Sequence, residues 1–150
     1  MRNRRIAVSS WLSAECPMER FHADVFEYVG RKFLIVVDSF SSFIMLRLLK
    51  NISSNATKAA LENIFATYSK TAVIVCDNAT NFASQDILEY FMDNKIYPSY
   101  AVPRHSQNNG TAEVAVRLIK QYLKSKEIKN IDESVLNAAM LFVNSRTMVD

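Results

Sequence analysis

The sequence predicts an α/β domain built on a five-stranded mixed sheet flanked by helices. Three observations carry that expectation. Strand-like segments come first and then alternate with helical ones, in the order three strands, helix, strand, helix, strand, helix, helix. The segment TAVIVC at 71–76 is apolar on both faces, as a strand in the middle of a sheet must be. The 150 residues are 49% hydrophobic and 22% charged, enough for one real core and too apolar for an unfolded chain.

Each element follows from its local pattern. RFHADVFEYV at 20–29 alternates with the period of a strand. Gly30-Arg31 reads as a tight turn into KFLIVVD at 32–38, a buried strand. Residues 40–48 read as a third strand, antiparallel to the second across a short turn at 38–41. The polar stretch 51–55 supplies caps for a helix at 56–69, where Ala60, Leu61, Ile64, Phe65 and Tyr68 recur at helical spacing. After the strand at 71–76, Ser84 caps a helix running to about Asn94, with Ile87, Leu88 and Phe91 inward. IYPSYAV at 96–102 is the last strand, and 103–110 is a polar loop. Helices at 111–126 and 132–145 close the chain.

Composition narrows the function classes. Two glycines and three prolines exclude collagen-like and low-complexity chains. Two cysteines cannot build a disulfide framework or a four-ligand zinc site. No secretory signal is recognisable, so Cys16 and Cys76 are expected as reduced thiols, Cys76 in the core. No apolar run approaches the ~20 residues of a membrane helix. A net charge of +3 is too small to identify a nucleic-acid partner by itself.

Three carboxylates stand out by position. Asp24 lies inside the first strand, where a charge is costly unless partnered. Asp77 follows the fourth strand at its C-terminal end, the edge at which open α/β sheets bind ligands. Glu113 opens the long helix. Each has an ordinary reading: Asp24 in an ion pair, Asp77 capping a turn, Glu113 meeting a helix dipole. Together they match what metal-dependent phosphoryl transfer requires, carboxylate oxygens converging on two cations about 3.5–4 Å apart.

The segments FHADVF (21–26), FLIVVDSFSSF (33–43), VIVCDNATNF (73–82) and VPRHSQNNGTAEVAVRLIK (102–120) resemble the catalytic core of retroviral and retrotransposon integrases. The nearest likeness is to gypsy-type elements. The specific feature is the 35 residues between Asp77 and Glu113, the D,D-35-E spacing of that family. The resemblance implies a ribonuclease H-like fold, with 21–150 as a core slightly short at its C-terminal end. Residues 1–20, with no His-x-x-x-His or Cys-x-x-Cys, are expected to be a lead-in and not a zinc domain. It implies that Asp24, Asp77 and Glu113 are the catalytic and metal-binding triad, holding two Mg²⁺ or Mn²⁺ ions. It places Asn78 beside the second acid, and His105, Gln107, Asn109 and Gly110 in a loop facing the element's DNA end. Asp38 ends the second strand in the family and is read as a turn residue. The implied partners are element-end and target DNA and a second core, with amphipathic helices at 56–69 and 131–145 available for dimerisation. The implied location is the nucleus.

The long helix adds an independent point. At about 100° per residue, Glu113, Arg117, Lys120 and Lys124 share one face, with Ala115, Leu118, Ile119 and Tyr122 opposite. A basic stripe beginning one turn after a metal-ligand candidate suits phosphate contact. In the family, basic residues at the positions of Arg117 and Lys120 contact the element's DNA end.

The chain departs from the family pattern in places. Ala79 stands where Asp-Asn-Gly is usual, Glu27-Tyr28 where Gly-Pro is common, and Arg104 where the loop is often aromatic. None removes a triad acid. The leading expectation is an integrase-type nuclease and polynucleotidyl transferase performing 3′-end processing and strand transfer. The alternatives are a non-catalytic, domesticated or degenerate nucleic-acid-binding module and a ribonuclease H-like nuclease.

Overall fold

In the computed structural model, residues 14–51, 53–76, 79–100 and 110–147 are described. Strand β1 (Arg20–Tyr28) pairs antiparallel with β2 (Arg31–Asp38), from Phe21↔Asp38 to Tyr28↔Arg31. The reversal is a two-residue turn, Val29-Gly30, with both residues at positive φ (45° and 76°). It falls one residue earlier than the Gly30-Arg31 expectation. Positive φ at both central positions is the type I′ turn, which matches the strand twist and favours glycine in second place.

Strand β3 (Ile44–Leu49) pairs antiparallel with β2. It starts four residues later than the pattern suggested, because Asp38 organises the chain before it. The buried Asp38 carboxylate accepts hydrogen bonds from the Phe40 amide (3.2 Å) and the Ser41 hydroxyl (3.0 Å), and its own amide donates to the Phe43 carbonyl. The turn reading of Asp38 holds.

Helix α1 (Ser54–Tyr68) is capped by Ser53, whose Oγ accepts from the Ala56 amide at 3.2 Å. Strand β4 (Val73–Cys76) then lies parallel to β1. A four-residue helix α2 (Ala79–Phe82) follows, which the sequence reading missed. Helix α3 (Gln85–Asp93) is capped by Ser84, as expected from its spacing. Strand β5 (Tyr97–Tyr100) lies parallel to β4. Helices α4 (Gly110–Ser125) and α5 (Glu133–Thr147) complete the chain. Asp132 caps α5, its carboxylate accepting from the Val135 amide at 2.9 Å.

The sheet order is β3-β2-β1-β4-β5, with β4 internal as its doubly apolar pattern requires. Alternation along the strands divides the core in two. Phe21, Ala23, Leu34, Val36 and Met45 face α1, α2 and α3; Phe26, Phe33, Ile35, Val37 and Leu46 face α4 and α5. Helices on both faces of a mixed sheet satisfy every apolar side.

The outer edge of β3 is closed by α5. The Asn144 side chain accepts from the Ile44 amide at 2.8 Å and donates to the Ile44 carbonyl at 3.0 Å. A single amide side chain thus occupies the place of a sixth strand at that residue.

Candidate functional site

Asp24 sits mid-strand on β1, opposite Ile35 of β2, and is half-buried. The even-numbered positions of β1 face α4 and α5, as Phe26 shows, so Asp24 belongs to that side of the sheet. Its Oδ1 accepts from the Val25 amide at 2.8 Å. A carboxylate carried mid-strand by β1, which lies between β2 and β4 in the sheet, is rigidly placed. Glu27, the acid that replaces a common glycine, has the opposite parity. It reaches across the hairpin to Lys32 Nζ at 2.9 Å, and so stands away from Asp24.

The parallel register of β1 and β4 ends at Ala23↔Cys76. Asp24 is the next residue on β1, and Asp77 is next in the chain after Cys76. Asp77 and Asn78 lie outside the described residues, as do His105, Gln107 and Asn109. Among the described residues no three His, Cys, Asp or Glu side chains form a metal-sized cluster. Ala79 is the first residue of α2, a backbone setting that suits alanine.

Glu113 stands in the first turn of α4 and is exposed. The buried stripe of α4 is Ala112, Ala115, Ile119 and Leu123. Leu118 and Tyr122, expected in that stripe, are only partly buried at its margin. The opposite face carries Glu113, Arg117, Lys120 and Lys124, as the helical spacing predicts. These four residues, with Tyr28 and Gln121, line a groove of about 390 Å³ between α4 and the end of β1. Lys120 Nζ lies 5.7 Å from the centre of the Phe26 ring, which steadies its ammonium by cation–π attraction. Three cations against one carboxylate make the groove electropositive. Glu113 near the N-terminus of α4 and Lys124 in its last turn both complement the helix dipole.

Tyr28 is the groove residue that the sequence reading passed over. Its signal was available: positions 24, 26 and 28 share one face of β1. Elsewhere, Cys76 is fully buried, and burial pushes its thiol far above the ordinary range. Tyr100 donates its hydroxyl to the Phe82 carbonyl at 2.9 Å; burial, and then the nearby Cys76, push it up to about 12. Both are scaffold groups behind the sheet. Among the described residues no helix is long and apolar enough to cross a membrane.

The integrase core domain family matches residues 14–106 of this sequence. The chain belongs to the integrase core domain family. This integrase core is 26% identical over 140 residues to the Caenorhabditis elegans protein K02A2.6, a match covering 92% of the chain and 11% of that relative. It therefore spans a small part of that relative's length. It superposes on a chain of the simian T-cell lymphotropic virus intasome, solved in complex with the PP2A regulatory subunit B56 gamma, with a TM-score of 0.77. That match is 16% identical and covers 92% of this chain and 52% of the viral one. The HTLV-2 integrase catalytic core domain, solved with magnesium in a dimeric form, matches with a TM-score of 0.68. It is 23% identical, over 84% of this chain and 86% of the viral domain. At these identities the likeness establishes the fold: a five-stranded mixed sheet with flanking helices, the ribonuclease H-like fold of integrase catalytic cores.

Proposed function

We propose that this integrase core performs metal-dependent DNA 3′-end processing and strand transfer, with Asp24, Asp77 and Glu113 as its catalytic acids. The observation that carries the reading is the placement of Asp24 and Glu113 on one side of the sheet. Asp24 is held in the middle of β1, and Glu113 stands in the first turn of α4 beside a groove with three cations. Asp77 enters through the chain itself. It is bonded to Cys76, whose register partner Ala23 is bonded to Asp24.

The donor set is all carboxylate oxygen, the chemistry that hard cations such as Mg²⁺ and Mn²⁺ select. Asp24, Asp77 and Glu113 would hold two such ions. Bound there, the ions would supply activation of an attacking oxygen and stabilisation of the leaving one. The rest of the task falls to this chain's own residues. Arg117, Lys120 and Lys124 neutralise successive phosphates and align the strand along α4. That alignment brings one phosphodiester to the N-terminal end of the helix, where Glu113 stands. Asn78, His105, Gln107 and Asn109 contact DNA on the other side in this reading. The working particle is a dimer of cores, acting in the nucleus on element-end and target DNA.

The test is release of the joined strand from a branched DNA substrate in Mn²⁺. The wild-type chain is expected to turn over. Asp24→Asn, Asp77→Asn and Glu113→Gln are each expected to lose roughly 100-fold or more, with DNA binding retained. Turnover that is unchanged in all three variants would sink the assignment. A wild type that binds DNA but neither binds Mn²⁺ by calorimetry nor turns over would instead be the non-catalytic module.

A further inference from the structure

The groove along α4 contains an aromatic ring that the phosphate stripe does not explain. Tyr28 is half-buried and lies on the same face of β1 as Asp24, four residues farther along. At about 3.3 Å per strand residue that is roughly 13 Å from the acid. On the facing helix, Glu113 and Lys124 are eleven positions apart, roughly 16 Å at 1.5 Å per residue. The groove therefore has an acid at one end, an aromatic floor, and Arg117, Lys120 and Lys124 along its wall.

Chemistry identifies what such a groove takes. Cations at one-turn intervals attract a polyanion but do not distinguish one strand from two. A ring set among them adds a face on which an unstacked base can lie, and a base is unstacked only where the strand is unpaired. The wall supports this. Lys120 is already drawn over the Phe26 ring, so its ammonium is held close to the strand surface and not swung into solvent. Gln121, adjacent on the helix, offers both a donor and an acceptor at the same level.

The geometry points to Tyr28 as a nucleotide-contacting residue that gives this groove a preference for unpaired DNA leading away from the acids. This rests on the DNA reading above and extends it to a residue that reading does not use. The ring positions the strand; it takes no part in bond making.

Fluorescence anisotropy on the full chain tests it, with a short single-stranded oligonucleotide and a blunt duplex as probes across a salt series. Tyr28→Leu keeps apolar bulk against the helix and removes the ring, and Tyr28→Phe keeps the ring. The expected result is about tenfold weaker single-strand binding for Tyr28→Leu. Duplex affinity should change less than about twofold and the salt slope should not change. Tyr28→Phe should bind as the wild type does. Lys124→Ala should weaken both probes and lower the single-strand salt slope by about 0.7. Equal single-strand binding by Tyr28→Leu and wild type overturns the role of Tyr28 while leaving the DNA reading intact. So does a proportional loss on both probes. A wild type that binds neither probe overturns the DNA reading itself. Matching thermal melts of the variants exclude misfolding as the cause.

Discussion

Val29 adopts a φ of 45°, in the region that β-branched side chains most resist. The chain accepts this because β1 and β2 are paired without interruption up to Tyr28↔Arg31, and only two residues remain to reverse direction. Gly30, at a φ of 76°, takes the second turn position without cost, and open space surrounds it. Val29 is half-exposed, so its side chain gains little from burial in return. The left-handed conformation costs an L-residue about 1–2 kcal/mol, and asparagine tolerates it best among non-glycines. Val29→Asn should therefore stabilise the domain by about 1 kcal/mol, read as a rise in the urea midpoint at unchanged slope. A midpoint that falls would mean that Val29 contributes packing not visible in its exposure. The same scale explains Asp38. It is a buried carboxylate at the end of β2, and its oxygens are committed to the Phe40 amide and the Ser41 hydroxyl.

At the scale of elements, β3 shows how a sheet edge is closed. An edge strand exposes unpaired amides and carbonyls and invites pairing with another chain. Here Asn144 on α5 takes both the amide and the carbonyl of Ile44, and it is buried as it does so. Asn144→Ala leaves a buried donor and a buried acceptor unsatisfied, which should cost about 2–4 kcal/mol. Urea denaturation reads that loss. Asn144→Asp is the control: it preserves an acceptor for the Ile44 amide and sets a carboxylate against the Ile44 carbonyl. If both variants stay within about 0.5 kcal/mol of wild type, the edge is protected by something other than this side chain. Every element except α2 was legible from a period or a cap, such as those at Ser53, Ser84 and Asp132. Their limits moved where side chains redirected the backbone. Asp38 delays β3, and helix α2 has only four residues, too few to show a period. The cationic face of α4 was readable from spacing alone. Tyr28 was readable only as sharing a strand face with Asp24 and Phe26; that this face opens on a groove follows from the packing of α4 across β1.

The molecule as a whole has two unequal sides. The sheet face toward α1, α2 and α3 is sealed by Phe21, Phe65, Phe82 and Phe91 around the buried Cys76, and among the described residues it carries none of the candidate site residues. The face toward α4 and α5 carries Asp24 on β1, with Glu113 and the basic groove along α4. On the same layer, α5 leaves Leu141 71% exposed and Phe142 44% exposed. Phe142 is partly accounted for, since it packs on the Tyr122 ring at 5.0 Å and lies under the Arg146 guanidinium. Leu141 stands beside it as a second, more exposed apolar side chain of α5. Its position decides what can cover it without blocking DNA, because α5 packs on β3 at the sheet's outer edge while the basic groove opens beside β1. A second core docked on α5 would keep both grooves accessible, which is what the dimer in the proposed function requires. Sedimentation velocity of the wild type is expected to show two chains per particle. Leu141→Glu should shift it to single chains with the thermal midpoint unchanged or raised, since this side chain contributes almost nothing to the monomer core. DNA binding in the groove should survive that change, and the strand transfer proposed for a dimer of cores should not. A monomeric wild type, or a dimer indifferent to Leu141→Glu, would remove α5 from the assembly and leave the single-chain groove as the unit that binds DNA.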